Sequence, residues 1–231
     1  MGAVTVFAFR LHEPKHVKLL NSFTGAFLLS LTLLHLLPEL YDFPRTGGGD
    51  HLAMRLGFCM LLGFFIQLAL DYISLGVEHG HAHHLHHGHP PYGVVIGLCI
   101  HALVEGTALG NSTTYYDPTS RTLLLWSIVV HNYPVSIALL AMLLHWGMQK
   151  GTALSILGLF AVMGPVGMFV SGHVQPLAEH SRELMAVVIG IFMHISTTIL
   201  FESGDAHKIH IPKLVAIVVG TALGVATVLF H

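Results

Sequence analysis

Seven apolar runs, at approximately residues 19–40, 53–76, 93–112, 122–145, 153–171, 184–201 and 213–230, make up most of this 231-residue chain. Polar or Pro/Gly-rich segments such as 42–51, 78–91 and 202–212 close them off. A helix that crosses about 30 Å of hydrocarbon at 1.5 Å per residue needs roughly 20 such residues, so the pattern predicts seven full transmembrane helices. The balance of 53% hydrophobic to 10% charged residues agrees with a membrane setting, because a soluble domain carries about 25% charged residues. A soluble globular enzyme is thereby set aside. Ten Lys and Arg against twelve Asp and Glu give a formal charge of −2, which offers no basic surface for phosphate backbones and excludes nucleic acid as a partner. Cys59 and Cys99 lie inside apolar runs, where free cysteine behaves as a small buried hydrophobe. Residues 2–9 are apolar but make only about half a span, and they lack the Lys/Arg start and cleavage site of a signal peptide. They read either as a short interfacial segment or as part of a first helix.

Lys and Arg in short loops favour the cytoplasm. Placing Arg10, Lys15, Lys18, Lys150, Lys208 and Lys213 inside leaves Arg45, Arg55, Arg121 and Arg182 outside, six against four. That orientation puts the His-rich segment 78–91 on the cytoplasmic side and the C-terminus outside. No stretch between the runs exceeds about 15 residues, so function is expected within the bilayer or in short loops.

An ionisable side chain near the bilayer centre costs at least about 2.5 to 3.5 kcal/mol on insertion scales, and one that persists normally faces a bundle interior and a partner. Such polar positions here are His35 and Glu39, Gln67 and Asp71, His101 and Glu105, His131 and Asn132, and His194. His101 and Glu105 stand at i and i+4, which stacks them on one helix face, where an imidazole nitrogen and a carboxylate oxygen can converge on one cation. His35 and Glu39 repeat the spacing. The plainer reading is that each His bonds its own Glu; an apolar pair would avoid that burial cost altogether. After His131 and Asn132 comes Pro134, which removes one helical hydrogen bond and is expected to leave the Val130 carbonyl without its usual donor, beside a histidine. A plain packing kink is the other reading, and for Pro165 it is the one adopted.

Between the second and third runs stand His79, His81, His83, His84, His86, His87 and His89, seven histidines within eleven residues, interspersed with Gly and followed by Pro. Clustered imidazoles on a segment without a fixed fold suit loose capture of zinc, nickel or copper. Imidazole also titrates near pH 6.5, so a pH-sensing role is the alternative.

His101-Ala-Leu-Val-Glu105-Gly106, then His131-Asn-Tyr-Pro134, with a His-rich loop just before, resembles the ZIP (Zrt/Irt-like protein) family of divalent metal transporters. Ser22-Phe-Thr-Gly-Ala-Phe-Leu-Leu running to His35-Leu-Leu-Pro-Glu39 looks like that family's second helix, and His194-Ile-Ser-Thr-Thr-Ile-Leu-Phe-Glu202 like its seventh. The resemblance spans nearly the whole chain. It implies an all-α membrane protein, a polytopic helical bundle of seven full transmembrane helices plus a partial N-terminal first helix, in a family pattern of eight. Residues 1–231 would form one transporter domain with its His-rich cytoplasmic loop at 78–91.

The metal site implied by the resemblance takes His101 and Glu105 from one helix and His131 from the next, with Asn132 beside it. His35, Glu39, Gln67, Asp71 and His194 are candidates for lining the route. Val135 stands where many members carry a second carboxylate, and Ala102 where many carry a polar residue. Two neutral imidazoles and one carboxylate around a divalent ion leave a net charge of about +1, which disfavours a second metal and eases release. Zinc suits these N and O donors, and Fe2+ or Mn2+ fit the same set.

The expected function is divalent cation transport, zinc foremost, toward the cytoplasm across a plasma (inner) membrane, with no prosthetic group. The partners are the metal ion and the lipid bilayer, and a homodimer is compatible with such a chain. A membrane-embedded metalloenzyme is the rival class, but the HExxH of the usual protease and a spare general base are missing. A non-transporting metal sensor or chaperone is the other alternative.

Overall fold

The computed structural model describes residues 14–43, 49–74, 92–110, 118–175, 179–201 and 211–229. Every regular element among them is helical. Helix α1 runs Pro14–Leu31 and continues through a π-helical turn, Thr32–Leu36, into Leu37–Leu40. The others are α2 (Gly49–Ser74), α3 (Tyr92–Gly110), α4 (Pro118–His145), α5 (Lys150–His173), α6 (Ser181–Phe201) and α7 (Ile211–Leu229). The first six contain stretches long and apolar enough to cross a membrane, and the apolar part of the seventh, Ile211–Thr227, is shorter. The chain is therefore an all-α, multi-pass membrane protein with six full-length spans among the described residues, against the seven predicted. Residues 2–9 and the histidines from His79 to His89 lie outside the described residues.

Proline acts differently at three places. α4 and α5 continue without interruption through Pro134 and Pro165, because tertiary contacts in a bundle can absorb one missing N–H. Pro38 stands just after the π turn, at whose end Leu37 N–H reaches back five residues to the Thr32 carbonyl. A proline ring crowds the carbonyl four residues earlier, and a widened turn relieves that contact.

The helices pair in a nested order: α1 with α7, α2 with α6 and α3 with α5. Each pair runs parallel. Along α2 and α6, Arg55 meets Glu183 at 2.7 Å and, further on, the Phe64 ring meets that of His194 at 4.8 Å. Along α3 and α5, Gly106 abuts the backbone of Gly164, and Gly110 abuts Ser171. Along α1 and α7, Gly220 abuts Phe23, and His35 then reaches Thr227. In hydrocarbon no hydrophobic effect drives helices together, so close backbone approach at small residues supplies the packing energy.

The pairs also define two layers. In α1, α3, α4 and α6, 56–61% of the apolar stretch is buried, whereas in α2 and α5 only 22% is. Phe58, Phe65 and Tyr72 of α2, Phe169 of α5 and Val218 of α7 are turned outward, as lipid-facing surface requires. Each pair thus joins one inner helix to one outer helix, and α4 stands unpaired against α1, α3 and α5.

Candidate metal centre

α3 is an unbroken α-helix, so His101 and Glu105 lie one turn apart on one face, both fully buried. His101 Nε2 sits 3.2 Å from Glu105 Oε1. α4 brings His131, also buried, with its ring centroid 5.8 Å from that of His101 and nearly perpendicular to it. One ligand atom from each of His101, Glu105 and His131 lies within 4.8 Å of the other two, and this is the one such three-ligand cluster among the described residues. Asn132 Nδ2 donates to Glu105 Oε2 at 2.8 Å. Asn132 Oδ1 is buried without a hydrogen-bond partner among the described residues.

Gln67, on α2, is buried as well, and its Oε1 lies 3.1 Å from His101 Nδ1. A carbonyl oxygen only accepts, so Nδ1 carries a proton, and in the neutral imidazole Nε2 then keeps its lone pair. That lone pair then faces a carboxylate oxygen across 3.2 Å, an arrangement that a cation between the two stabilises. Two ligands at about 2.0 to 2.1 Å from a tetrahedral zinc ion lie about 3.3 Å apart, so the spacing of this pair matches that of two ligands on one ion.

The predicted residues do not all converge. His101, Glu105 and His131 come together, with Asn132 and Gln67 bonded to two of them. His194 lies on α6 with Nε2 3.9 Å from Asp71 Oδ2, one turn along α2 from Gln67. His35 Nε2 bonds Thr227 Oγ1 on α7 at 2.9 Å, and Glu39 follows the π turn. Val135 and Ala102 are packed in one apolar cluster with Leu98 and Leu139, so hydrocarbon stands at both of these positions. Sequence reasoning missed Ser127, which is buried one turn before His131 with its Oγ lacking a hydrogen-bond partner among the described residues. Its i−4 spacing from His131 was the available signal.

The description "ZIP Zinc transporter" belongs to the family model that matches residues 78–230. The chain belongs to the ZIP family. Among its relatives are the zinc transporter ZIP9 of Xenopus tropicalis, 24% identical over 187 residues (71% of this chain, 59% of the relative), and ZIP9 of Micropogonias undulatus, 24% identical over 189 residues with the same coverage. Zinc transporter ZIP9-A of Xenopus laevis is 25% identical over 198 residues, covering 77% of this chain and 61% of the relative. The chain spans about three fifths of the length of these curated relatives. The part matched to the ZIP model contains α3 to α7 and hence the whole His101–Glu105–His131 cluster, whereas α1 and α2, with Gln67, precede it.

Proposed function

We propose that this ZIP family member carries divalent metal cations, zinc foremost, across the membrane toward the cytoplasm, binding each ion between α3 and α4. The observation that carries the reading is the buried convergence of His101, Glu105 and His131. Groups that hydrocarbon should exclude are kept there in a geometry that an ion repays. In this reading the three supply the first ligands, and water or Asn132 completes the coordination. One carboxylate leaves the loaded site at about +1, which favours a single ion and its release over tight retention. Fe2+ and Mn2+ are the next candidates by donor type.

Several finer points belong to the same proposal. α7 acts as a full span, and the helices follow the eight-helix family pattern in one domain. The histidines at 79–89 gather metal on the cytoplasmic side, and His35, Glu39, Asp71 and His194 line the route. The chain works in the plasma (inner) membrane as a transporter rather than an enzyme, and a homodimer is its simplest assembly.

The test is influx of zinc into liposomes holding an internal zinc dye, comparing the wild type with His101→Ala and Glu105→Ala. Loss of influx in both variants is expected. Equal influx in all three would overturn the reading.

A further inference from the structure

Gln67 is out of character for its helix. α2 turns large apolar side chains outward along most of its length, yet this one amide is completely buried on the side that meets α3. Burying an amide is costly unless a partner answers it. Gln67 Oε1 meets His101 Nδ1 at 3.1 Å, on the ring edge away from the Nε2 that approaches Glu105. We propose that Gln67 is a positioning residue for the metal centre, fixing His101 in its Nδ1–H tautomer and holding the ring so that Nε2 is presented to the cation.

Imidazole has two nitrogens and, when neutral, one proton, so whatever bonds one nitrogen decides whether the other can ligate. Without Gln67, Nε2–H could donate to the Glu105 carboxylate 3.2 Å away, and that proton would occupy the ligand position. An acceptor at Nδ1 opposes that outcome. An amide does so without adding charge, whereas a carboxylate in its place would make the imidazole a stronger donor to the ion and add a negative charge nearby. Gln67 therefore orients His101 while leaving the loaded site under-neutralised, which suits an ion that must leave again. The contact also brings a third helix, from the α2–α6 pair, into a site whose direct ligands come from α3 and α4.

This inference rests on the metal-centre reading, and the experiment separates the two. The full chain is reconstituted in lipid with 15N-labelled histidine, the His101 signals are assigned by difference against His101→Ala, and zinc binding is titrated. In the ion-free wild type the expected result is a protonated Nδ1 on His101. Gln67→Met keeps the volume and removes the acceptor; it is expected to redistribute the proton toward Nε2 and weaken zinc binding about 10- to 100-fold. Gln67→Glu restores an acceptor and is expected to bind zinc at least as tightly as the wild type. A wild-type His101 protonated at Nε2 overturns the proposal without reference to any variant. So does a Gln67→Met protein with unchanged tautomer and affinity while His101→Ala loses zinc, a result that leaves the metal centre standing. Undiminished zinc binding by His101→Ala would instead remove the metal centre itself, and the Gln67 role with it.

Discussion

His101/Glu105 and His35/Glu39 have the same spacing in sequence and different surroundings in the fold. The first pair sits in an uninterrupted α-helix and stacks to 3.2 Å, with a second histidine from α4 closing on it. Between the second pair lie Pro38 and the end of a π turn, so the two residues occupy different helical segments. Their histidines are also set in opposite senses. Thr227 gives its only hydroxyl proton to the Gly224 carbonyl at 2.6 Å, so its oxygen accepts from His35, whose Nε2 must be the donor. In His101 the Gln67 acceptor instead favours a proton on Nδ1, with Nε2 turned to the Glu105 carboxylate. In the proposed reading, a His-x-x-x-Glu spacing therefore serves a metal site only where the backbone stays regular and the far nitrogen is given an acceptor.

The largest effect expected from this contrast is on ion binding itself. His101→Ala or Glu105→Ala should weaken zinc affinity by more than the roughly 10- to 100-fold typical of losing an outer partner, since each removes a ligand. His35→Ala and Glu39→Ala should alter the rate of zinc movement while leaving the affinity of the α3–α4 site within a few-fold. Equilibrium titration on the four variants decides the matter, and equal losses in both pairs would erase the distinction. Asn132→Ala tests the next level: without the 2.8 Å bond from Nδ2, Glu105 is less fixed, and a loss of about 10-fold is expected.

The regular helix that makes the first pair effective is itself held in place by α5. Gly106 follows Glu105, and a Cβ built on it would lie 2.8 Å from the carbonyl carbon of Gly164 and 2.9 Å from its Cα. Backbone cannot swing aside as a side chain does, so α3 and α5 would have to separate. Gly106→Ala is expected to cost about 1–3 kcal/mol, the range for overpacking, seen as earlier thermal unfolding in lipid or detergent, together with weaker zinc binding because Glu105 moves with the helix. Unchanged stability would mean that the α3–α5 contact is looser than this packing.

Much of the architecture was legible in the sequence because membrane spans are specified locally. The apolar runs at 122–145 and 153–171 became Pro118–His145 and Lys150–His173, differing only in the first turn and last residues. The meeting of His101 with Glu105 was legible for the same reason: a histidine and a glutamate four apart need only a helix to meet. The nested pairing was not, since it rests on glycines from distant runs, such as Gly63 against Val187 and Gly190 against Met60, that no period within one run reveals. The same limit applies to Gln67. It stood out as an amide inside hydrocarbon, but its partner lies 34 positions away, so it read as a lining residue. The π turn was hidden because Pro38 in a helical run signals a disturbance without saying which form it takes.

The smallest effect belongs to the bond that keeps His35 occupied. Thr227→Val preserves shape and removes the oxygen that accepts from Nε2. Interhelical hydrogen bonds of this kind in membranes average about 0.6 kcal/mol, because the separated helices find other partners. A stability loss of that order is expected, with zinc affinity at the α3–α4 site unchanged. Gln67→Met removes a bond of the same type, also between a histidine ring nitrogen and an uncharged oxygen on another helix, yet it should move affinity far more than stability. If the two substitutions instead changed stability alike and left zinc binding untouched, the acceptor on His101 would be a packing bond like that on His35, and the difference between the pairs would reduce to the regularity of their helices.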